Sequence, residues 1–168
     1  MSAPALIDGP LTGLALHQIG YVVRDLDAAM ARYRQAWGVG RWTVRRHDEA
    51  TTPITTYCGA PGRFSMRLAL SDVAPVVELI EPLTGPSAYD AWIEEHGDSI
   101  HHFGFVVASL DAMIAPMEAA GYPLVQSGRG YGLDGDGAYG YFDTTADLRV
   151  FTELIEPPAR RSPPEEVR

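Results

Sequence analysis

Two glutamates stand in the middle of apolar runs in this sequence. Glu78 lies within VVELIEP and Glu153 within FTELIEP. An ionised carboxylate among apolar side chains is costly unless a positive charge compensates it. The outer glutamates of the same strings, Glu81 and Glu156, each precede proline at a predicted strand end, where water can solvate them. The inner pair therefore needs a partner, whereas the outer pair does not.

The chain also repeats a longer pattern. Residues 16–30 (LHQIGYVVRDLDAAM) align without a gap with residues 100–114 (IHHFGFVVASLDAMI). In each copy an apolar strand leads to a helix N-cap, Asp25 or Ser109, then to a helix-forming stretch and to further strand-like segments. The sequence therefore predicts an α+β fold of two βαβββ modules.

The predicted boundaries follow from the repeat. They are an N-terminal extension at 1–13, a first module at 14–84, a linking helix at 85–99, a second module at 100–157 and a flexible, proline-rich tail at 158–168. Candidate strands inside the modules cover 41–46, 55–58 and 64–70, and then 123–126 and 139–143. The glycine-rich segment 126–140 is expected to be a flexible hairpin connection, with a mobile cover over a cavity as a secondary hypothesis. Arg129 would then be available for an anionic substrate.

Strand alternation assigns the polar residues of the repeated strands to faces. His17 and His101 share faces with bulky residues, which suit packing against a helix. Gln18 and His102 share faces with a glycine, which leaves room beside them. On this basis Gln18 and His102 point into open space, whereas His17 and His101 are hydrogen-bonded core or edge residues.

One divalent cation would explain the inner glutamates. If the two modules pack as pseudo-symmetric halves, Gln18 and Glu78 come from one half, and His102 and Glu153 from the other. Two carboxylates, an imidazole and an amide oxygen suit Zn²⁺, Ni²⁺, Co²⁺ or Mn²⁺, with positions left for water or substrate. The alternative is that Glu78 and Glu153 form buried ion pairs with Arg67 or Arg149.

The bulk composition excludes several classes of function. The formal net charge of −9 opposes binding to nucleic acid or to anionic membranes. Cys58 is the single cysteine, so neither an intrachain disulfide nor a cysteine-rich zinc site can form. No apolar run approaches the roughly 20 residues that span a bilayer. We therefore expect a cytoplasmic protein that acts on a small molecule.

The repeated motifs, together with IEEHGDSIHHFGFVV, resemble those of the vicinal oxygen chelate superfamily, which includes glyoxalase I, methylmalonyl-CoA epimerase, extradiol dioxygenases and bleomycin-resistance proteins. The resemblance covers residues 16–157. It implies paired βαβββ modules whose sheets curl around a shared central cavity with a metal centre, and it implies a homodimer. It maps the ligand positions onto Gln18, Glu78, His102 and Glu153. The ordered set Gln, Glu, His, Glu is similar to one form of glyoxalase I, whereas DAWIEEHGDSIHHFGF is more similar to the epimerase branch.

By analogy with this family, the expected reaction is proton transfer next to a metal-chelated carbonyl: an isomerisation, an epimerisation or a lyase step. Glu153 is the predicted base, and Glu78 is the predicted acid or base on the opposite face. The first alternative is a metal-free small-molecule binding or resistance protein that uses Trp42, Tyr57 and Tyr141. The second is an iron-dependent dioxygenase, against which Gln18 argues because those enzymes usually present two histidines and one carboxylate. Tyr139 and Tyr141 either line the pocket or pack in the core.

Overall fold

The fold was analysed in a computed structural model, which describes residues 8–168. The first half contains one helix and six strands: β1 (Leu16–Val22), α1 (Leu26–Trp37), β2 (Trp42–His47), β3 (Ile54–Tyr57), β4 (Ala60–Pro61), β5 (Ser65–Ser71) and β6 (Val76–Thr84). Helix α2 (Ala88–His96) lies between the two halves. The predicted N-terminal extension lies partly outside the described residues.

The second half repeats this plan with fewer strands. It contains β7 (Ser99–Val106), α3 (Leu110–Ala119), β8 (Leu124–Tyr131), β9 (Gly137–Phe142), the short α4 (Thr145–Leu148), β10 (Phe151–Glu156) and β11 (Glu166–Val167). The helix N-caps are those that the sequence predicts, since Asp25 Oδ1 accepts from Ala28 N–H and Ser109 Oγ from Ala112 N–H. No helix among residues 8–168 is both long enough and apolar enough to cross a bilayer.

All eleven strands form one curled sheet in the order β11-β2-β5-β6-β1-β7-β10-β9-β8-β3-β4. Within each half the first strand pairs in parallel with the last, β1 with β6 and β7 with β10. Strands β1 and β7 pair antiparallel and join the halves at the middle of the sheet. The predicted fold class, two βαβββ modules that form one curved mixed sheet, is confirmed.

One strand of the first half pairs with the second half. The segment predicted at 55–58 forms β3, which pairs with β8 in the register Thr55↔Gly128 and with β4 in a short hairpin. The three strands that follow α1 in the first βαβββ unit are therefore β2, β5 and β6. Local sequence pattern identifies β3 as a strand, but it does not determine which edge that strand will meet.

The glycine-rich connection differs from the flexible hairpin that the sequence predicts. Strand β8 continues to Tyr131 and β9 begins at Gly137, so that the connection shrinks to residues 132–136. Asp134 in this turn binds the Arg160 side chain, and Asp136 accepts from the Ala159 N–H. The turn is therefore an anchor for the C-terminal tail.

The tail crosses the open side of the sheet. Its far end forms β11, which pairs with β2 in the register Glu166↔Val44, and Arg168 binds Asp27. Residues 157–165 between the two anchors run beside the cavity described below. The tail is therefore held at both ends, and we call residues 157–165 the strap. The flexibility expected for the tail stays a prediction.

The outer glutamates of the two ELIEP strings hold the helices in place. Glu81 accepts from the Leu26 N–H at the start of α1 (3.3 Å), and Glu156 accepts from the Leu110 N–H at the start of α3 (2.8 Å). A carboxylate at a helix N-terminus satisfies a free N–H group and interacts favourably with the helix dipole. Solvation alone was expected for this pair, and the structure gives it a second function.

Candidate functional site

The four predicted ligand side chains meet at the junction of β1, β6, β7 and β10. Gln18 and Gly20 of β1 lie opposite Gly104 and His102 of β7, in the same order. On the outer flanks, Glu78 of β6 lies beside Gly20 and Glu153 of β10 lies beside Gly104. All four polar side chains are at least nine-tenths buried, and His102 has no exposed surface.

Two glycines make this meeting possible. A Cβ atom at Gly20 would lie 1.8 Å from His102 Cε1, and one at Gly104 would lie 2.5 Å from Gln18 Cγ. Distances this short exclude any side chain larger than hydrogen at either position unless the neighbour moves. The sequence indicates that these glycines leave room on one face, and the structure shows that the room is filled by a polar side chain of the opposite half.

The polar contacts form a closed network. Gln18 Nε2 donates to Glu78 Oε2 (3.0 Å) and to Glu153 Oε2 (2.7 Å). His102 Nε2 lies 3.1 Å from each of the same two oxygens. The two carboxylates thus share both of their neighbours, and the arrangement follows the pseudo-twofold symmetry of the sheet.

The charges at the site compensate one another. Burial alone lowers the pKa of His102, but the Glu153 and Glu78 carboxylates outweigh it and raise that pKa to about 9. Burial raises the pKa of Glu78, against the opposing effect of His102. In the metal-free state His102 is therefore an imidazolium at neutral pH, held between two carboxyl groups.

The donor set also fits a divalent cation. One ligand atom from each of Glu78, His102 and Glu153 lies within 4.8 Å of the other two, and all three residues are buried. A half-turn of the Gln18 amide would present its oxygen in place of its NH₂ group. Carboxylate, imidazole and amide oxygen together are ligands of Zn²⁺, Ni²⁺, Co²⁺ or Mn²⁺.

The alternative of buried arginine pairs for the inner glutamates is wrong. Arg67 pairs instead with Glu81 (3.8 Å) and with Glu165 (3.4 Å). Arg149 is exposed and forms no ion pair within residues 8–168.

His101 supports His102 from behind. It is fully buried, and its Nδ1 lies 3.0 Å from His102 Nδ1. Burial, followed by the charge of His102, lowers the pKa of His101 well below its usual range, so that His101 is neutral and can accept the His102 Nδ1–H. The prediction of a hydrogen-bonded core histidine is confirmed.

Two β-bulges lie in the paired strands β1 and β7. An extra residue interrupts the β1–β7 register at His17 in one strand and at His101 in the other. A bulge re-aims the side chain at the extra position. His101 packs against Tyr89 and Trp92 of α2. His17 is exposed and lines the cavity, which parity alone does not predict.

The site opens into a cavity of about 660 Å³. Gln18, Glu78 and Glu153 line its polar end, and Met66, Leu68 and Ile155 contribute apolar walls. Tyr139 and Tyr141 line the cavity and also pack in a buried core cluster, so that both alternatives hold for this pair. Such a volume suits a small organic ligand.

The aromatic trio proposed for metal-free binding is not assembled. Trp42 is fully buried in the core beneath α1, and Tyr57 lines a separate concavity beside α2. Only Tyr141 of the three contacts the cavity. Arg129 does not line this cavity either, and it pairs instead with Asp111 of α3 at 2.7 Å.

The sequence pattern does not predict several polar residues of the cavity, among them Arg45, Arg46 and His47 of β2 and Arg161 of the tail. Burial, together with Arg45, lowers the pKa of His47 to about 4, so its imidazole is neutral at pH 7; Thr52 Oγ1 lies 2.6 Å from its Nδ1. The alternation of TVRRH would place Arg45 and His47 on one face. It does not reveal that this face lines the cavity.

Comparisons with known proteins agree with this architecture. The sequence profile of the Glyoxalase/Bleomycin resistance protein/Dioxygenase superfamily matches residues 17–142. A search among curated proteins returns no match.

Solved structures share the fold at low sequence identity. A hypothetical protein, BH1468, from Bacillus halodurans C-125 has a TM-score of 0.64 at 17% identity, over 90% of this chain and 99% of the other. A methylmalonyl-CoA epimerase from Streptomyces coelicolor, in complex with 2-nitronate-propionyl-CoA, gives 0.61 at 23%, over 88% and 97%. The methylmalonyl-CoA epimerase from Mycobacterium tuberculosis gives 0.61 at 24%, over 92% and 94%. With most of its length matched by the family profile, and with the paired modules of that fold, this chain belongs to the Glyoxalase/Bleomycin resistance protein/Dioxygenase superfamily.

Proposed function

We propose that this protein is a metal-dependent isomerase, epimerase or lyase that transfers a proton next to a chelated carbonyl group of a small molecule. The observation that carries the proposal is the buried group of Glu78, His102 and Glu153 at the polar end of a cavity of about 660 Å³. The similarity of the fold to methylmalonyl-CoA epimerases is consistent with this reaction class.

Gln18, Glu78, His102 and Glu153 would hold the ion. A divalent ion at this position supplies a Lewis acid that polarises a carbonyl oxygen and stabilises the negative charge left when the adjacent carbon loses a proton. The protein's own contribution is geometric, since Gly20 and Gly104 let the ligand side chains approach from both halves. His101 fixes the His102 ring through the hydrogen bond at Nδ1.

The two carboxyl groups suit opposite roles in proton transfer. Burial raises the pKa of Glu78, and the hydrogen bond and charge of His102 oppose that rise. We assign the acid role to Glu78 and the base role to Glu153. The two residues approach from opposite halves of the sheet, so they would reach opposite faces of a substrate carbon.

Metal analysis tests the first requirement. We expect protein purified without chelator to contain close to one divalent ion per chain, and its melting temperature to rise when Zn²⁺, Ni²⁺, Co²⁺ or Mn²⁺ is added to the stripped protein. Absence of both the bound ion and the thermal gain would overturn the metal-dependent proposal.

Isotope exchange tests the chemistry before the product is known. NMR in D₂O should detect deuterium incorporation at the carbon next to the carbonyl in a panel of 2-oxo compounds and 2-acyl thioesters. Glu153→Gln keeps an oxygen that can accept from Gln18, so it should fold normally but slow exchange by about 10²-fold or more. Glu118→Gln, at an exposed position on α3, is the control. Equal exchange rates in the wild type and Glu153→Gln would exclude Glu153 as the base.

One observation favours a second candidate, a metal-free binding protein. The Gln18 amide already donates to both carboxylates, and the His102 imidazolium compensates their charge, so that the site is satisfied without an ion. Ligand binding that is saturable and unchanged by chelator and by Glu153→Gln would support this alternative.

The resemblance further leads us to expect a cytoplasmic homodimer, and sedimentation velocity measures its assembly state.

A further inference from the structure

The cavity has a second polar region, and its charge is opposite to that of the glutamates. The sequence contains two Arg-Arg pairs, Arg45–Arg46 in β2 and Arg160–Arg161 in the tail. Arg45 and Arg46 from the sheet and Arg161 from the strap line the cavity. The two sources are far apart in sequence, and the tail brings them together.

One member of each Arg-Arg pair is neutralised by a nearby aspartate. Arg46 Nε lies 2.8 Å from Asp48, and Arg160 binds Asp134. Among residues 8–168, neither Arg45 nor Arg161 has a carboxylate within ion-pair distance. In a chain with 22 acidic residues, Arg45 and Arg161 thus line the cavity without a counter-ion.

Arg45 also retains an unused donor. Its Nη1 donates to the Ser162 carbonyl of the strap at 2.8 Å, but its buried Nε–H has no acceptor. Burial and the nearby Arg161 charge lower the pKa of Arg45 below its usual value. Glu165, the carboxylate of the strap that lines the same cavity, is held by Arg67 (3.4 Å). A partly buried guanidinium with a free donor, beside a second cation, is the environment that binds an anion.

We propose that the substrate carries an anionic terminus, a carboxylate or a phosphate, that binds between Arg45 and Arg161 while its reacting oxygens lie at the glutamate end. This inference rests on the proposed function for the reacting end and on Arg45 and Arg161 alone for the anionic end. The apolar walls between the two ends, formed by residues such as Met66 and Leu68, suit an uncharged middle portion. Arg45 and Arg161 are thus specificity-determining residues.

Matched ligands test this division. 2-Oxoglutarate and 2-oxoadipate carry a distal carboxylate, 2-oxopentanoate and 2-oxohexanoate replace it with a methyl group, and 2-oxo-4-phosphonobutanoate replaces it with a phosphonate. Calorimetry on the full-length protein, both Zn²⁺-loaded and chelator-treated, should show that at least one distal anion binds about tenfold or more tightly than its methyl analogue. The preferred anion identifies carboxylate or phosphate as the natural terminus.

The variants locate the effect. Arg45→Met and Arg161→Met should each remove the preference for the distal anion, and Arg129→Met, which lies outside the cavity and is paired with Asp111, should retain it. Arg161 is exposed and makes no contact that anchors the strap, so Arg161→Met keeps the test valid if Arg45→Met fails to fold. Binding of none of the anions, equal binding of matched ligands, or an equal loss in Arg129→Met would overturn the inference. If chelator-treated protein keeps the preference for the distal anion but no isotope exchange is found, the anion site is upheld and the proposed reaction is refuted. If isotope exchange is found without that preference, the proposed reaction is upheld and the anion site is refuted.

Discussion

At the scale of single residues, the site depends on what is missing at two positions. Gly20 and Gly104 have no side chain, and His102 and Gln18 of the opposite strand occupy the space that a Cβ atom would take. Each glycine is therefore as much a part of the site as the ligands, although it offers no ligand atom. Close approach, rather than backbone freedom, is the reason for glycine here.

Gly20→Ala tests this dependence. The added methyl group would lie 1.8 Å from His102 Cε1, so the imidazole must leave its position between the carboxylates. We expect a loss of about 1–3 kcal/mol in the free energy of unfolding and no gain in melting temperature on adding Zn²⁺. Gly40→Ala, whose new Cβ would meet nothing within 4 Å, is the matched control. A full thermal response to Zn²⁺ in Gly20→Ala would refute the steric account.

The pKa of His102 gives the metal site a predictable pH dependence. The folded pKa of about 9 lies above that of an unfolded histidine, near 6.5, so the imidazolium contributes stability that is complete below pH about 6.5 and is lost as the pH rises through 9. A cation must displace this proton, so metal affinity should increase about tenfold per pH unit up to about 9. Titrations with Zn²⁺ in buffers from pH 6 to pH 8 measure the slope, and a flat profile would contradict it.

At the scale of elements, the ELIEP string performs two tasks with one strand. Its inner glutamate points into the cavity, and its outer glutamate reaches the first N–H of the helix that follows β1 or β7. The strand thereby fixes the helix to the sheet in each half. Glu78 and Glu153 are positioned by an element whose own end is tied to α1 or α3.

Glu156→Ala should weaken this connection. Removing the carboxylate leaves the Leu110 N–H of α3 without its 2.8 Å acceptor, and we expect a loss of about 1 kcal/mol in the free energy of unfolding. Urea denaturation measures this loss. Glu118→Ala on the same helix removes an exposed glutamate and should change stability by less than about 0.5 kcal/mol. Equal effects in the two variants would show that Glu156 is not acting as a cap.

Sequence pattern was sufficient for the elements that are locally encoded and repeated. The repeat and the strand parity predicted the meeting of Gln18 with His102 and of Glu78 with Glu153. Parity failed at His17, where a bulge adds a residue, because a bulge depends on pairing between distant strands. The same reason hides Arg45 and Arg161, since their meeting depends on where the tail docks.

At the scale of the whole molecule, neither half contains all four residues of the candidate metal site. Gln18 and Glu78 come from the first half, His102 and Glu153 from the second, and β3 crosses over to pair with β8. Because the sheet is continuous through β1 and β7, we expect the halves to fold as one cooperative unit. Assembly of the site and folding of the chain would then be the same event.

Hydrogen exchange can verify this cooperativity. The slowest amides of β6 in the first half and of β10 in the second should exchange with the same free energy of opening, equal to the global value. Binding of Zn²⁺ should raise both equally. A difference of more than about 2 kcal/mol between the two strands would show that one half opens independently.

The pseudo-twofold relation between the halves is broken at one pair of positions, where Gln18 is an amide and its equivalent, His102, is an imidazole. Two equal carboxylates thus face each other across two unequal neighbours. A ligand that is identical end for end would lose that identity on binding, because one end would lie nearer the neutral group and the other nearer the charged one. Gln18 and His102 would therefore distinguish the two ends of such a ligand without any contribution from the side chains of the cavity wall.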